Sequence, residues 1–128
     1  MKKIKITISK VQATATLNNS KTAEAIWQAL PLEAKASRWG DEIYFYIKVK
    51  CAAENAKEVV ELGDLGYWLE GPAFCIFFGK TPASKGNEIR PSSAVNVFGR
   101  VDGDVTVFKQ VKSGEKIVIE KLRINTNS

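Results

Sequence analysis

The chain has 128 residues, 45% of them apolar, with 19 basic against 14 acidic side chains and a formal charge of +5. That is the size of one domain, long enough to bury a core without a metal or disulfide framework, and too apolar for a disordered segment. It has no histidine, which excludes Ser-His and Cys-His nucleophile pairs, and its two cysteines, Cys51 and Cys75, lack CxxC spacing, so a disulfide scaffold is not indicated.

Met1-Lys2-Lys3-Ile4-Lys5 carries charge but no following apolar stretch, so no secretory leader is expected. Ile4, Ile6 and Ile8 alternate with lysine and threonine, the period of a half-buried strand. After a turn at Ser9-Lys10, Val11, Ala13, Ala15 and Leu17 alternate in the same way, completing an antiparallel hairpin. Asn18-Asn19-Ser20 supplies capping side chains. Ala23, Ile26, Trp27 and Leu30 then fall at i, i+3, i+4 and i+7, which predicts one helix over residues 21–30, ended by Pro31 and capping one end of the core. Leu32–Trp39 and Ile43–Val49 read as two strands joined by Gly40-Asp41. In the second, Ile43, Phe45, Ile47 and Val49 face one way, and Tyr44, Tyr46 and Lys48 the other.

Residues 51–58 are polar and read as a loop. Val59–Leu62, Tyr67-Trp68 and Phe74–Phe78 read as short strands between glycine turns, and Cys75 within the last as a small buried hydrophobe. Residues 79–93, with two prolines, two glycines and three serines, form a long irregular loop, the kind that often carries function. Val95–Val101 is a strand ended by Asp102-Gly103. Asp104–Val111 is a strand or a short helical turn, and Lys116–Ile124 is the last strand. Many short strands and one helix predict a closed barrel or a sandwich. No apolar run approaches the ~18 residues of a membrane span. Lysines such as Lys10, Lys35, Lys57, Lys85 and Lys121 are scattered, with no basic helix or RNP-like motif, so neither a membrane nor nucleic acid is expected as a partner. The expected location is the cytoplasm.

Several segments resemble the cyclophilins. Val97-Phe98-Gly99-Arg100-Val101, Gly103 and Val107–Val111 are similar to a strand reading V-F-G-K-V followed by glycine and a helical turn, and Pro72–Gly79 is similar to P-x-F-x-x-Q-G-G. Gly63–Trp68, Cys75–Gly79, Thr81-Pro82, Arg90-Pro91 and Val95-Asn96 recur in that order in the small prokaryotic cyclophilin-like proteins, whose biochemical role is not established. With the helix, the resemblance covers nearly the whole chain. It implies a mainly β fold, a closed eight-stranded antiparallel barrel with one clear helix. It also exposes departures. The isomerases carry an arginine three residues before the proline, and Leu69 stands there. Their glutamine is Phe77, while their phenylalanine is kept as Phe74. Counting back from V-F-G, the groove tryptophan and histidine correspond to Arg90 and Val95.

Other chemistry fits poorly. Gly79-Lys80-Thr81 lacks the earlier glycine of a phosphate loop, Phe74 standing in its place. Glu58, Glu61 and Asp64 read as a solvated face or turn cap, so no metal and no cofactor are expected. The candidate ligand site is a groove walled by Trp68, Phe74 and Phe77, with Thr81, Glu88, Arg90 and Asn96 as its polar groups; Arg90 would hold a carboxylate or carbonyl of the ligand. The same aromatics serve equally well to fill a barrel. The expected function is binding of a small molecule or peptide segment without efficient prolyl isomerisation. A divergent peptidyl-prolyl isomerase and a protein-protein interaction module are the alternatives, and the oligomeric state stays open.

Overall fold

A computed structural model describes residues 2–122. Nine antiparallel strands form one sheet: β1 Lys3–Ile8, β2 Val11–Leu17, β3 Leu32–Lys35, β4 Ser37–Trp39, β5 Glu42–Tyr46, β6 Asp64–Trp68, β7 Ala73–Phe77, β8 Val95–Val101 and β9 Lys116–Lys121. Their order across the sheet is β3-β9-β1-β2-β8-β6-β7-β5-β4. The two edge strands are consecutive in the chain and separated only by Ala36. Because β3 pairs with β9 and β4 with β5, the sheet curls until both edges meet in this one segment, giving a nearly closed barrel. The count is nine rather than eight because Leu32–Trp39 is broken at Ala36. There the backbone N–H donates to Glu115 (2.8 Å) and the carbonyl accepts from Gly114 (2.8 Å).

The local chemistry explains most elements. Ser9 takes a positive φ of 54° in the two-residue turn that sets Ile8 opposite Val11. Gly40, with φ +62°, does the same between Trp39 and Glu42. The helix α1, Lys21–Ala29, starts at the Ser20 hydroxyl, which accepts from the Ala23 N–H (3.0 Å). Its last residue is Ala29, one short of the predicted end, with Leu30 as the extended cap before Pro31. Ala23 and Ile26 enter the barrel core. Residues 105–110 resolve the strand-or-helix alternative as a 3-10 turn capped by Asp104.

Three predicted elements come out differently. Val59–Leu62 is not a strand; only isolated bridges, Lys57 with Val95 and Val60 with Ile89, tie this connection down. Conversely, β6 begins at Asp64, inside the supposed glycine turn, because Gly66 is a strand glycine required by packing. A Cβ there would lie 2.9 Å from both the Phe77 ring and the Val95 side chain, too close without movement, and the register with β8 shifts at this point. The last strand ends at Lys121, and its predicted extension to Ile124 lies outside the described residues.

The strand alternation separates two apolar layers. Inside the barrel, Phe74 stacks on Phe45 and meets Phe98 edge-on, each pair with centroids 5.1 Å apart. Ile4, Ile6, Leu65, Ile76 and Ile119 pack with them. Outside, on the far faces of β6, β7 and β8, lies a second layer of Ala73, Cys75, Phe77 and Val95, roofed by Val60 and Ile89 of the two long connections.

Candidate functional site

The roof over the outer layer is incomplete. Beside it, towards β5 and β4, a groove of about 210 Å³ opens on the barrel's outer face. Trp39, Tyr44, Tyr46 and Trp68 wall it, Cys75 and Val95 line it from the sheet, and Pro91 and Ser92 from the loop that follows β7. Tyr44 and Tyr46 meet edge-on with centroids 5.9 Å apart, and Tyr46 is 63% exposed. The indole N–H of Trp68 donates to the Ser93 hydroxyl (2.6 Å), fixing that ring against the loop.

Glu42 also lines this groove. It is only 6% exposed, and its Oε1 is buried with no hydrogen-bond partner. Removal from water penalises the charged form and pushes the carboxyl from 4.5 up to about 7; the Cys75 thiol beside it offsets only part of this. Burial, with the Glu42 charge alongside, pushes the Cys75 thiol well above its ordinary value, so it is an inert thiol rather than a nucleophile. Among the described residues, no Lys or Arg lines the groove.

The predicted site residues divide between this groove and other places. Trp68 lines it. Phe77 is fully buried in the layer beneath. Phe74 points the other way, into the barrel. Thr81, Glu88 and Arg90 instead organise the 79–93 loop. The Thr81 hydroxyl donates to the Arg90 carbonyl. The Glu88 carboxylate accepts from the backbone of Lys85 (3.0 Å) and Gly86 (2.7 Å) and from Arg90 Nε (3.1 Å). These bonds, the backbone amides first, lower its pKa to about 2. Arg90 thus directs its Nε to Glu88, and its neighbour Pro91, not Arg90, lines the groove. Asn96 is buried on the face of β8 opposite to Val95. Its amide donates to Thr22 Oγ1 (3.0 Å) and the Ala52 carbonyl (2.9 Å), and its oxygen accepts from the Glu54 N–H (2.8 Å). It anchors a loop to the helix and does not line the groove.

Glu42, Trp39 and Tyr44 are absent from the sequence-derived site, but a signal existed. Starting the strand at Ile43 instead of Glu42 hid the fact that Glu42, Tyr44 and Tyr46 share one face by simple alternation. The two-residue Gly40-Asp41 turn then sets Trp39 directly across from Glu42.

Among the described residues, no three His, Cys, Asp or Glu side chains gather where they could hold a metal ion, and no helix is long and apolar enough to cross a membrane.

Comparison with known proteins agrees with this architecture. A family model described as cyclophilin-like matches residues 2–120. The solution structure of a hypothetical protein from Archaeoglobus fulgidus is similar at 44% identity, over 94% of this chain and 95% of that one, with a TM-score of 0.81. No curated protein matches the chain.

Proposed function

The chain belongs to the cyclophilin-like family, and from that premise we propose that it is a binding protein, whose outer-face groove takes a small molecule or a short peptide segment without efficient prolyl isomerisation. The observation that carries this reading is the groove itself: four aromatic walls and one buried carboxyl around unfilled space of about 210 Å³. That volume corresponds to roughly seven waters, which suits a small head group or one side chain. The resemblance to the isomerases does not extend to their donor. Leu69, at the position of their arginine, packs half-buried against the barrel core. Prolyl rotation faces a barrier of ~20 kcal/mol, and loss of one preorganised donor commonly costs ~3 kcal/mol, about a hundredfold in rate. Cytoplasmic location is part of the same reading, supported by two cysteines that remain free thiols.

The test combines binding and catalysis. Alanyl-prolyl peptides and N-acetyl amino-acid amides are titrated while the indole N–H signals of Trp39 and Trp68 are followed by NMR, and exchange of the prolyl bond is measured in the same samples. The expected result is shifts confined to the groove and an exchange rate close to the uncatalysed one. Catalysis typical of cyclophilins would overturn the reading, as would binding that maps elsewhere.

A further inference from the structure

Resting on the groove as the binding site, we propose that its ligand is an organic cation, an ammonium or methylated ammonium head held by the Trp39, Tyr44, Tyr46 and Trp68 rings and paired with the Glu42 carboxyl. Two independent features converge on this. The first is the rings. Aromatic faces carry negative quadrupole density and attract cations within about 6 Å of their centroids, most strongly where water is excluded. Here four rings from β4, β5 and β6 surround one space. The second is the carboxyl. A side chain 6% exposed with an unpartnered oxygen is costly unless something arrives to pair with it. A cation supplies that partner and gains from the ring quadrupoles as well; a neutral amide packs on the rings without that electrostatic gain, and an anion is repelled by the ionised carboxyl.

Among the described residues, no competing cation faces Glu42. Across the hairpin stands Trp39, and on β7 stand Phe77 and the neutral thiol of Cys75. Tyr44 follows on β5, and Pro91 and Ser92 face it from the loop. Asp41, next in the chain, is already paired with Arg38 (3.1 Å) and Lys109 (3.4 Å). The +5 charge of the whole chain is spread over the surface, and at physiological salt it is screened beyond about 8 Å. Since burial holds the carboxyl near 7, a bound cation draws it into the ionised form, and binding at neutral pH releases a fraction of a proton.

The probes are choline and its neutral carbon isostere 3,3-dimethylbutanol, titrated into the full chain and read at the Trp39 and Trp68 indole signals. A trimethyllysine peptide beside free choline separates a protein-borne head group from a free amine. Choline should bind at least tenfold more tightly than the isostere at pH 8. Its affinity should fall by about thirtyfold at pH 5.5, as a carboxyl near 7 takes up its proton. Glu42→Gln should abolish the pH dependence and reduce the preference to the part the rings supply, while its melting curve reports that it folds. Trp39→Leu, which leaves the carboxyl intact, should weaken choline more than the isostere. Equal binding of the two probes would overturn the cation inference and leave the groove standing as a neutral-ligand site. Failure of choline to shift the groove signals would also overturn it, and the amide titrations would then decide the groove reading separately.

Discussion

The two faces of β7 differ in one respect that governs everything else about the site. On the inner face, Phe74 and Ile76 are sealed on all sides by side chains from the rest of the barrel. On the outer face, Ala73, Cys75 and Phe77 are equally inaccessible, yet their cover is two irregular connections that stop short of β5. There the apolar surface continues as a groove, and the buried carboxyl of Glu42 sits at the boundary. One five-residue strand thus contributes to a closed core and to an open site, because alternation sends successive side chains to opposite faces. The inner face specifies the fold, and the outer face ends in an open groove.

The largest test of this contrast is Phe74→Ala. Removing a fully buried ring that contacts both Phe45 and Phe98 should cost about 3–5 kcal/mol of stability. The measurement is the midpoint of denaturant unfolding. If the two faces are as separate as the geometry indicates, the folded fraction should still bind groove ligands with its affinity changed less than about threefold. A stability loss below about 1 kcal/mol would mean the interior is not sealed.

The next effect has the opposite sign. Glu42 is raised from 4.5 to about 7 in the folded chain. An acid whose folded value lies above its unfolded one is neutral in both states at low pH and costs the fold nothing there. As pH rises from 4.5 through 7 the unfolded chain loses its proton first, and the folded state is penalised by up to about 3 kcal/mol above pH 8. Glu42→Gln removes that penalty. The variant should match the parent chain near pH 4.5 and exceed it in stability by up to about 3 kcal/mol at pH 8.5. Equal stability at both values would show that the carboxyl is solvated and the groove floor wetter than its burial indicates.

Much of the inner face was legible in the sequence, and the outer face was not. Ile4-Ile6-Ile8, Ile43-Phe45-Ile47 and the Ala23-Ile26 stripe each follow a single period against a single core, so pattern alone places them. β7 buries both faces and shows no alternation of polar and apolar residues, so Phe74 and Phe77 looked alike although they point oppositely. Gly66 read as a turn because the reason for it, the Phe77 ring and Val95, lies on other strands. The polar residues around the prolines read as ligand contacts. Glu88, Thr81 and Arg90 are consumed in holding their own loop, as irregular backbone requires. Arg90 was legible as a fork for anions, and its pairing with Glu88 was not.

The smallest effect concerns β8, where neighbours Val95 and Asn96 divide between the same two faces. Val95 lines the groove, while Asn96 ties Thr22 of the helix to Ala52 and Glu54 of the β5–β6 connection. Glu54 in turn accepts from the helix's first amides, Lys21 (2.9 Å) and Thr22 (3.0 Å), where a carboxylate suits the helix dipole. Asn96→Ala deletes three hydrogen bonds; Ala52 and Glu54 lie nearer the surface and can recover water, while buried Thr22 keeps its bond to Glu54 (2.8 Å), so the net cost should be about 1–2 kcal/mol. Hydrogen exchange should speed up at the Glu54 amide, which loses its acceptor, and remain unchanged on β7. The indole signals of Trp39 and Trp68 should not move, since Asn96 stands on the far side of the strand from both. Shifts at those indoles as large as those caused by a groove ligand would mean that the helix-side loop and the groove are coupled through β8, and that the two faces do not act independently.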